Sequence, residues 1–314
     1  MTAQQKTMLL FGGVGALLLV ASAIGWLLAR RATSPEGRAT IDNLNARIRA
    51  WWAMIAIFGA GFLLGPAATL LLFALTSFWT LREFVSLTPT RAADVWPIGA
   101  AFYIFLPLQY WLIWTEWYGL FAILVPVYAF LILPSLAALA GDVRDFLLRV
   151  ARLQWGLMLT VYCISHAPAL LVLDIPGFEN QRFLLLFFLI AVVQMSDVLQ
   201  YVFGKLFGRR KVAPVVSPSK TWEGLIGGGL SATALGAGLW WLTPFTPLQA
   251  AGQAFVIVAM GFLGGLSLSA IKRSMGAKDW GAMVKGHGGV LDRMDSVCFA
   301  APVFFHITRF FFTP

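Results

Sequence analysis

Charge is what this chain has least of. Lys, Arg, Asp and Glu make up 12% of its 314 residues, hydrophobic residues make up 59%, and mean hydropathy is +0.79. Such a composition excludes a soluble domain and specifies an integral membrane protein. Cysteine is scarcer still. Cys163 and Cys298 fall inside apolar runs with no metal-ligand spacing, which leaves them as packed apolar thiols. Tandem repeats of roughly 20 to 50 residues, heptads and low-complexity tracts are also lacking, so no internal boundary is stronger than a loop.

What is present is a series of apolar runs near the length needed to cross about 30 Å of hydrocarbon. They lie at about 8 to 29, 47 to 64, 67 to 87, 96 to 114, 118 to 138, 153 to 173, 183 to 203, 223 to 242, 253 to 271 and 294 to 312. The expected fold is therefore an all-α polytopic transmembrane bundle of about ten helices, with N-terminal membrane helices over 1–175 and a catalytic region over 176–314. Trp51 to Thr80 is one apolar stretch whose only break is Gly65-Pro66, and charge decides its reading. If it is a hairpin, the loops 30–46, 88–95, 139–152, 204–222 and 272–293 share one side. That side then holds every Lys and Arg except Lys6, Arg182 and Arg309. By the positive-inside rule it is cytoplasmic, and both termini lie opposite. The net charge of +9 is thus mainly topological. Nucleic acid is excluded as a partner, because the basic residues sit in short loops and not on one soluble face. The first run is long, lacks a strongly basic n-region and is followed by Arg30-Arg31, so it reads as a signal anchor.

Several polar or aromatic features have plain structural readings. Arg47 and Arg49 ahead of Trp51-Trp52 anchor a helix at headgroup level, and Trp111, Trp114, Trp117 and Tyr118 form an aromatic belt. Residues 139–152, with Asp142, Arg144, Asp145, Arg149 and Arg152, read as an amphipathic link with a solvated face lying on the membrane. His166, alone in its run beside Pro168, reads as a packed or hydrogen-bonded helix residue.

Near the end of the chain charge returns: Ser269, Lys272-Arg273, Lys278-Asp279, Lys285-Gly286-His287-Gly288-Gly289 and Asp292-Arg293-Met294-Asp295, between two apolar runs. Charge costs free energy at such a place and needs a functional reason. Asp292 and Asp295 share a face if helical, and the glycines let backbone N–H groups approach an anion. Carboxylates for a metal, with cations and N–H groups for phosphates, point to phosphoryl or nucleotidyl transfer involving a lipid. A second constellation begins at Ser196-Asp197 and Gln200, near the cytoplasmic end of a run. It continues through Gly204-Lys205, Gly208-Arg209-Arg210-Lys211 and Ser217-Pro218-Ser219-Lys220-Thr221-Trp222-Glu223-Gly224. Hydroxyls, an ammonium and a helix start near Trp222-Glu223 suit a triphosphate; the plain alternative is a basic loop and an N-cap. Gly227-Gly228-Gly229 and Gly236-x-Gly238 follow no strand signal, so they read as close helix packing.

Both constellations resemble the phosphatidate cytidylyltransferase (CDP-diacylglycerol synthase) family, of the bacterial integral membrane type, across about residues 194 to 296. The chain departs from the pattern at Val284-Lys285, where the family has Ile, Leu or Phe followed by Pro or Gly. The resemblance implies Mg²⁺ held by Asp279 and Asp292, with Asp295 and Asp197 as further ligands or orienters. It implies phosphate binding by Lys220, Lys272, Arg273, Lys278 and Arg293, with Ser217, Ser219, Thr221, Gly288 and Gly289 in the substrate site. His287 becomes a donor to phosphate or an orienter of an Asp, and Glu223 an orienter of Lys220 or the nucleotide.

The implied reaction converts CTP and phosphatidate to CDP-diacylglycerol and pyrophosphate at the cytoplasmic side of the bacterial inner membrane, with a homodimer as the family's usual assembly. Two other readings compete. Another CTP-dependent lipid enzyme, such as a polyprenol kinase or a synthase for a different lipid phosphate, shares the chemistry. A membrane transporter should show inverted repeats or paired broken helices, and the sequence has neither.

Overall fold

The computed structural model describes residues 3–31, 34–281 and 288–314. Its helices form ten rods: α1 (Ala3–Arg31), α2 (Pro35–Leu64), α3 (Pro66–Leu87), α4 (Ala92–Trp114), α5 (Tyr118–Leu139), α6 (Phe146–Val172), α7 (Glu179–Phe207), α8 (Trp222–Gly238), α9 (Pro247–Ser274) and α10 (Leu291–Phe312). Among the described residues, seven are long and apolar enough to cross a membrane: α1, α3, α4, α5, α6, α7 and α9. The other three fall short for visible reasons. α2 is apolar only over Trp51–Leu64, α8 has 17 residues, and α10 opens with Asp292, Arg293 and Asp295. The all-α polytopic bundle is therefore the fold.

The long apolar stretch before residue 87 is two helices. Gly65 has φ +89°, a conformation that favours glycine, and Pro66 starts α3, where its missing N–H costs nothing. The chain folds back there: the Phe58 and Phe73 rings lie 6.2 Å apart, and the Thr69 hydroxyl donates to the Gly61 carbonyl at 3.0 Å. α4, α5 and α6 each widen into a π-helical stretch, Ala101–Phe105, Leu124–Ala129 and Met158–Cys163. Each of these rods contains proline, which removes an N–H and crowds the preceding turn. Trp111, Trp114 and Trp117 are all at least half exposed, as an aromatic belt requires.

The link after α5 presents a solvated face at Arg144 and Asp145, as expected, but not at Arg149. Arg149 is buried at 6% exposure, and its Nε donates to Asp94 Oδ1 at 2.9 Å, while its other nitrogens donate to the carbonyls of Arg144 and Asp142. Arg91 bridges outward to Asp145 at 3.2 Å. The Arg144 guanidinium, hydrogen-bonded to Asp142, holds the Asp142 carboxyl below its ordinary range. These charges bind the start of α4 to the start of α6. The Arg149–Asp94 pair is an internal tie, which a hydropathy pattern alone does not distinguish from a wetted surface, while Arg144 and Asp145 stay exposed.

A β-hairpin that the sequence reading did not anticipate joins α7 to α8: β1 (Lys211–Ala213) pairs antiparallel with β2 (Ser217–Thr221). Of the glycines that follow, Gly227, Gly228, Gly229 and Gly236 pack helix on helix, as expected, whereas Gly238 has nothing within 4 Å of its β-carbon position. A β-carbon at Gly228 would lie 2.4 Å from the backbone nitrogen of Gln200, and one at Gly236 would lie 2.3 Å from Cβ of Ala254. Small residues thus let α8 lie directly against α7 and α9.

Candidate active site

The site forms at one end of the bundle, where α9 stops and α10 starts. α9 ends in a Schellman motif: Gly276 N–H donates to Arg273 O at 3.1 Å, Ala277 N–H donates to Lys272 O at 2.9 Å, and Gly276 has φ +72°. This places Lys272 in the last turn, buried at 8% exposure, with its ammonium 2.5 Å from Asp292 Oδ1. The other oxygen of Asp292 accepts N–H bonds from Trp280 (2.9 Å) and Gly289 (2.8 Å).

The next two N–H groups go to a residue from the other half of the chain. Glu83 of α3, at 8% exposure, accepts from Val290 at Oε1 and from Leu291 at Oε2, both at 2.9 Å. A carboxylate at a helix N-terminus is favoured by both the free donors and the dipole. The glycines of the motif follow from this arrangement. Gly288 has φ +79°, and a β-carbon on it would lie 2.5 Å from Asp292 Oδ2; one on Gly289 would lie 2.5 Å from Glu83 Oε2. The anions that these glycines admit are therefore the protein's own carboxylates, and the Gly289 N–H expected to face substrate is engaged internally.

On the α7 side, the Ser296 hydroxyl donates to Asp197 Oδ1 at 3.2 Å, and Ser296 N–H donates to Asp295 Oδ1 at 2.7 Å. Lys220 reaches in from β2. Its ammonium lies 4.6 Å from the Phe262 ring centroid. A β-carbon at Gly265 would sit 3.0 Å from Lys220 Nζ, 3.5 Å from Ser296 Oγ and 3.8 Å from Asp295 Oδ2. Glycine at 265 thus leaves room for an ammonium, a hydroxyl and a carboxylate to converge. Thr221 is the N-cap of α8, accepting from Gly224 N–H at 3.1 Å, so its hydroxyl follows the plain reading. Glu223 accepts the backbone N–H groups of Arg209 (3.0 Å) and Arg210 (3.2 Å), holding the turn before β1; the contact expected with Lys220 is not the one it makes.

The sequence-predicted residues therefore divide. Asp197, Lys220 and Asp295 meet around Ser296; Lys272 and Asp292 pair beside Gly288 and Gly289, with Asp279 Cβ 3.4 Å from the β-carbon position of Gly288. Arg273, Lys278, Asp279, Arg293 and Ser219 are exposed, and Ser217 is half-buried. Val284, Lys285, Gly286 and His287 lie outside the described residues. Among the described residues no three His, Cys, Asp or Glu side chains converge in metal-holding geometry, so Asp279, Asp292, Asp295 and Asp197 do not form one cluster. Sequence reading missed Glu83 and Ser296. Glu83 had a signal, because it is the one acid in the 67–87 run and a charge in a span needs a partner. Ser296 had none beyond adjacency to Asp295.

A family model, the cytidylyltransferase family, matches residues 45–311. The chain belongs to that family. Among its relatives, the uncharacterized protein YnbB of Escherichia coli (strain K12) is 40% identical over 299 residues, 94% of this chain and 96% of that protein. The phosphatidate cytidylyltransferase of Mycobacterium leprae (strain TN) is 38% identical over 172 residues, 54% of this chain and 53% of that protein. That of Haemophilus influenzae (strain ATCC 51907 / DSM 11121 / KW20 / Rd) is 41% identical over 129 residues, 38% of this chain and 44% of that protein. The chain thus spans about half the length of the two relatives that carry an activity in their names. Family and fold together make it a membrane-embedded nucleotidyltransferase.

Proposed function

We propose that the protein transfers the cytidylyl group of CTP to phosphatidate, giving CDP-diacylglycerol and pyrophosphate. The observation that carries this reading is the convergence of Lys220, Asp295 and Ser296 on the open face of Gly265, with Asp197 bonded to the same serine, at one end of an apolar bundle. An oxygen of the lipid phosphate attacks the α-phosphorus of CTP; the new P–O bond forms as the bond to the β-phosphate bridging oxygen breaks, and pyrophosphate leaves. The attacking group is already an anion, so no serine or cysteine nucleophile is required. The difficulty is bringing two anions together, and fixed cations lower it. Lys220 neutralises phosphate oxygen at the buried end, and the exposed Lys278, Arg273 and Arg293 attract the polyphosphate from solution.

Mg²⁺ fits part of the predicted ligand set. It is commonly bound through one or two carboxylates, with substrate phosphates and water completing the shell. Asp197 and Asp295, linked through Ser296, supply such a pair, whereas both oxygens of Asp292 already have protein partners. When bound there, Mg²⁺ supplies charge neutralisation at the transferring phosphoryl group. Asp292 then serves mainly to orient Lys272 and the start of α10. We place this end of the bundle at the cytoplasmic face of a bacterial inner membrane, because it carries nearly all the Lys and Arg of the loops.

Incubation of the purified protein with Mg²⁺, phosphatidate and CTP labelled in the cytosine ring tests the proposal. A lipid product carrying the label supports it. Label entering the lipid only from γ-phosphate-labelled CTP, with an alcohol acceptor, would replace it with a kinase.

A further inference from the structure

We infer that Glu83 is a positioning residue of the transfer site: from the N-terminal half of the chain it sets where residues 289–291 at the start of α10, and with them Asp292, stand. This rests on the nucleotidyl-transfer reading of the site. The expected division of the chain put every site residue after 176. Glu83 lies 207 and 208 residues away from the two N–H groups that it binds.

The geometry is that of a clasp. Four backbone N–H groups, of Trp280, Gly289, Val290 and Leu291, are shared between two carboxylates, the first two by Asp292 and the last two by Glu83. Gly281 and Gly289 both come up against Glu83. A β-carbon at Gly281 would lie 2.9 Å from Oε1, and one at Gly289 would lie 2.5 Å from Oε2. The adjacent Phe84 supports the same loop, its ring stacked on the buried Trp280 with centroids 5.1 Å apart and planes at 21°. An N-cap serine within the loop would satisfy one of these donors without bringing a second carboxylate next to a site for polyanions. A buried carboxylate from another helix does something a local cap does not: it ties the start of α10 to α3, which is fixed in the core through Leu81 and Phe84. Since a misplacement of about 1 Å can cost about 100-fold in rate, this tie bears on turnover although Glu83 touches no reacting atom.

The test is Glu83→Gln, which keeps the shape but turns one acceptor into a donor facing an N–H group, together with Glu83→Asp as a second variant should Gln prevent folding. On monodisperse protein well below its melting temperature, kcat is expected to fall about 10- to 100-fold with KM for CTP within about threefold, the pattern of lost transition-state alignment. Wild-type kcat in a folded variant, even one with a lowered Tm, would overturn the inference and leave Glu83 a stabilising residue only. Hydrogen exchange over residues 288–292 gives a readout without substrate. Faster exchange is expected in the variant relative to wild type, and unchanged exchange would overturn the inference even if the wild type makes no cytidylyl lipid, an outcome that by itself would sink only the proposed reaction.

Discussion

Lys272 and Asp292, twenty residues apart in sequence, meet at 2.5 Å with both side chains only 10% exposed. A buried pair of this kind is costly to break, because removing one member leaves the other uncompensated, typically at about 3–5 kcal/mol. Lys272→Met and Asp292→Asn should therefore each lower Tm in detergent by several degrees and reduce turnover at least about 100-fold. The double variant should lose less stability than the sum of the singles. Strictly additive losses, or near-normal turnover in Lys272→Met, would show that the pair is not coupled.

The helical rods were legible because most apolar runs are near a bilayer in length and the loops between them hold nearly all the Lys and Arg. The site was legible as a set of residues and not as an arrangement. Asp197 and Asp295 are 98 positions apart, and what links them is Ser296, a residue with no distinguishing spacing. Glycines 288 and 289 were recognisable as a place where an anion comes close. That the anions are Asp292 and Glu83 depends on which helix packs beside the loop, and helix packing is not written in local periodicity. Arg149 shows the same limit: its neighbours suggest a wet amphipathic face, and only the presence of Asp94 opposite makes it a buried tie.

If Asp197 and Asp295 hold Mg²⁺, either Asn variant should raise the Mg²⁺ concentration for half-maximal activity by about tenfold or more. Asp279→Asn, altering an exposed carboxylate, should shift it less. Activity against Mg²⁺ at saturating CTP measures this. A larger shift in Asp279→Asn than in Asp197→Asn would return the metal to the exposed loop.

If α8 and α9 both cross, as the proposed ten-span topology requires, β1 and the end of α9 lie on one face of the membrane. In a background lacking Cys163 and Cys298, cysteines at Lys211 and Lys278, both exposed, should resist an impermeant thiol reagent in intact cells and react after lysis. Labelling of one position but not the other in intact cells would break the ten-rod arrangement.

The close approach of α7 and α8 yields the last prediction. A β-carbon at Gly228 would meet only backbone: Gln200 N at 2.4 Å, Gln200 Cα at 2.5 Å and the Leu199 carbonyl carbon at 2.6 Å. No rotamer change relieves such a contact, so Gly228→Ala must push the helices apart. Overpacking of this kind costs about 1–3 kcal/mol. The displacement has a direction that matters, because Asp197 rides on α7 one turn before Gln200 while Lys220 precedes α8 on β2. Separating the two helices therefore separates two of the groups proposed to handle phosphate and metal. Gly238→Ala is the control: nothing lies within 4 Å of its β-carbon position, and alanine is favoured over glycine in a helix by about 1 kcal/mol. Gly228→Ala should lower both Tm and kcat, whereas Gly238→Ala should leave kcat unchanged and Tm equal or slightly raised. Equal Tm and kcat in both variants would mean that α7 and α8 do not pack at backbone distance.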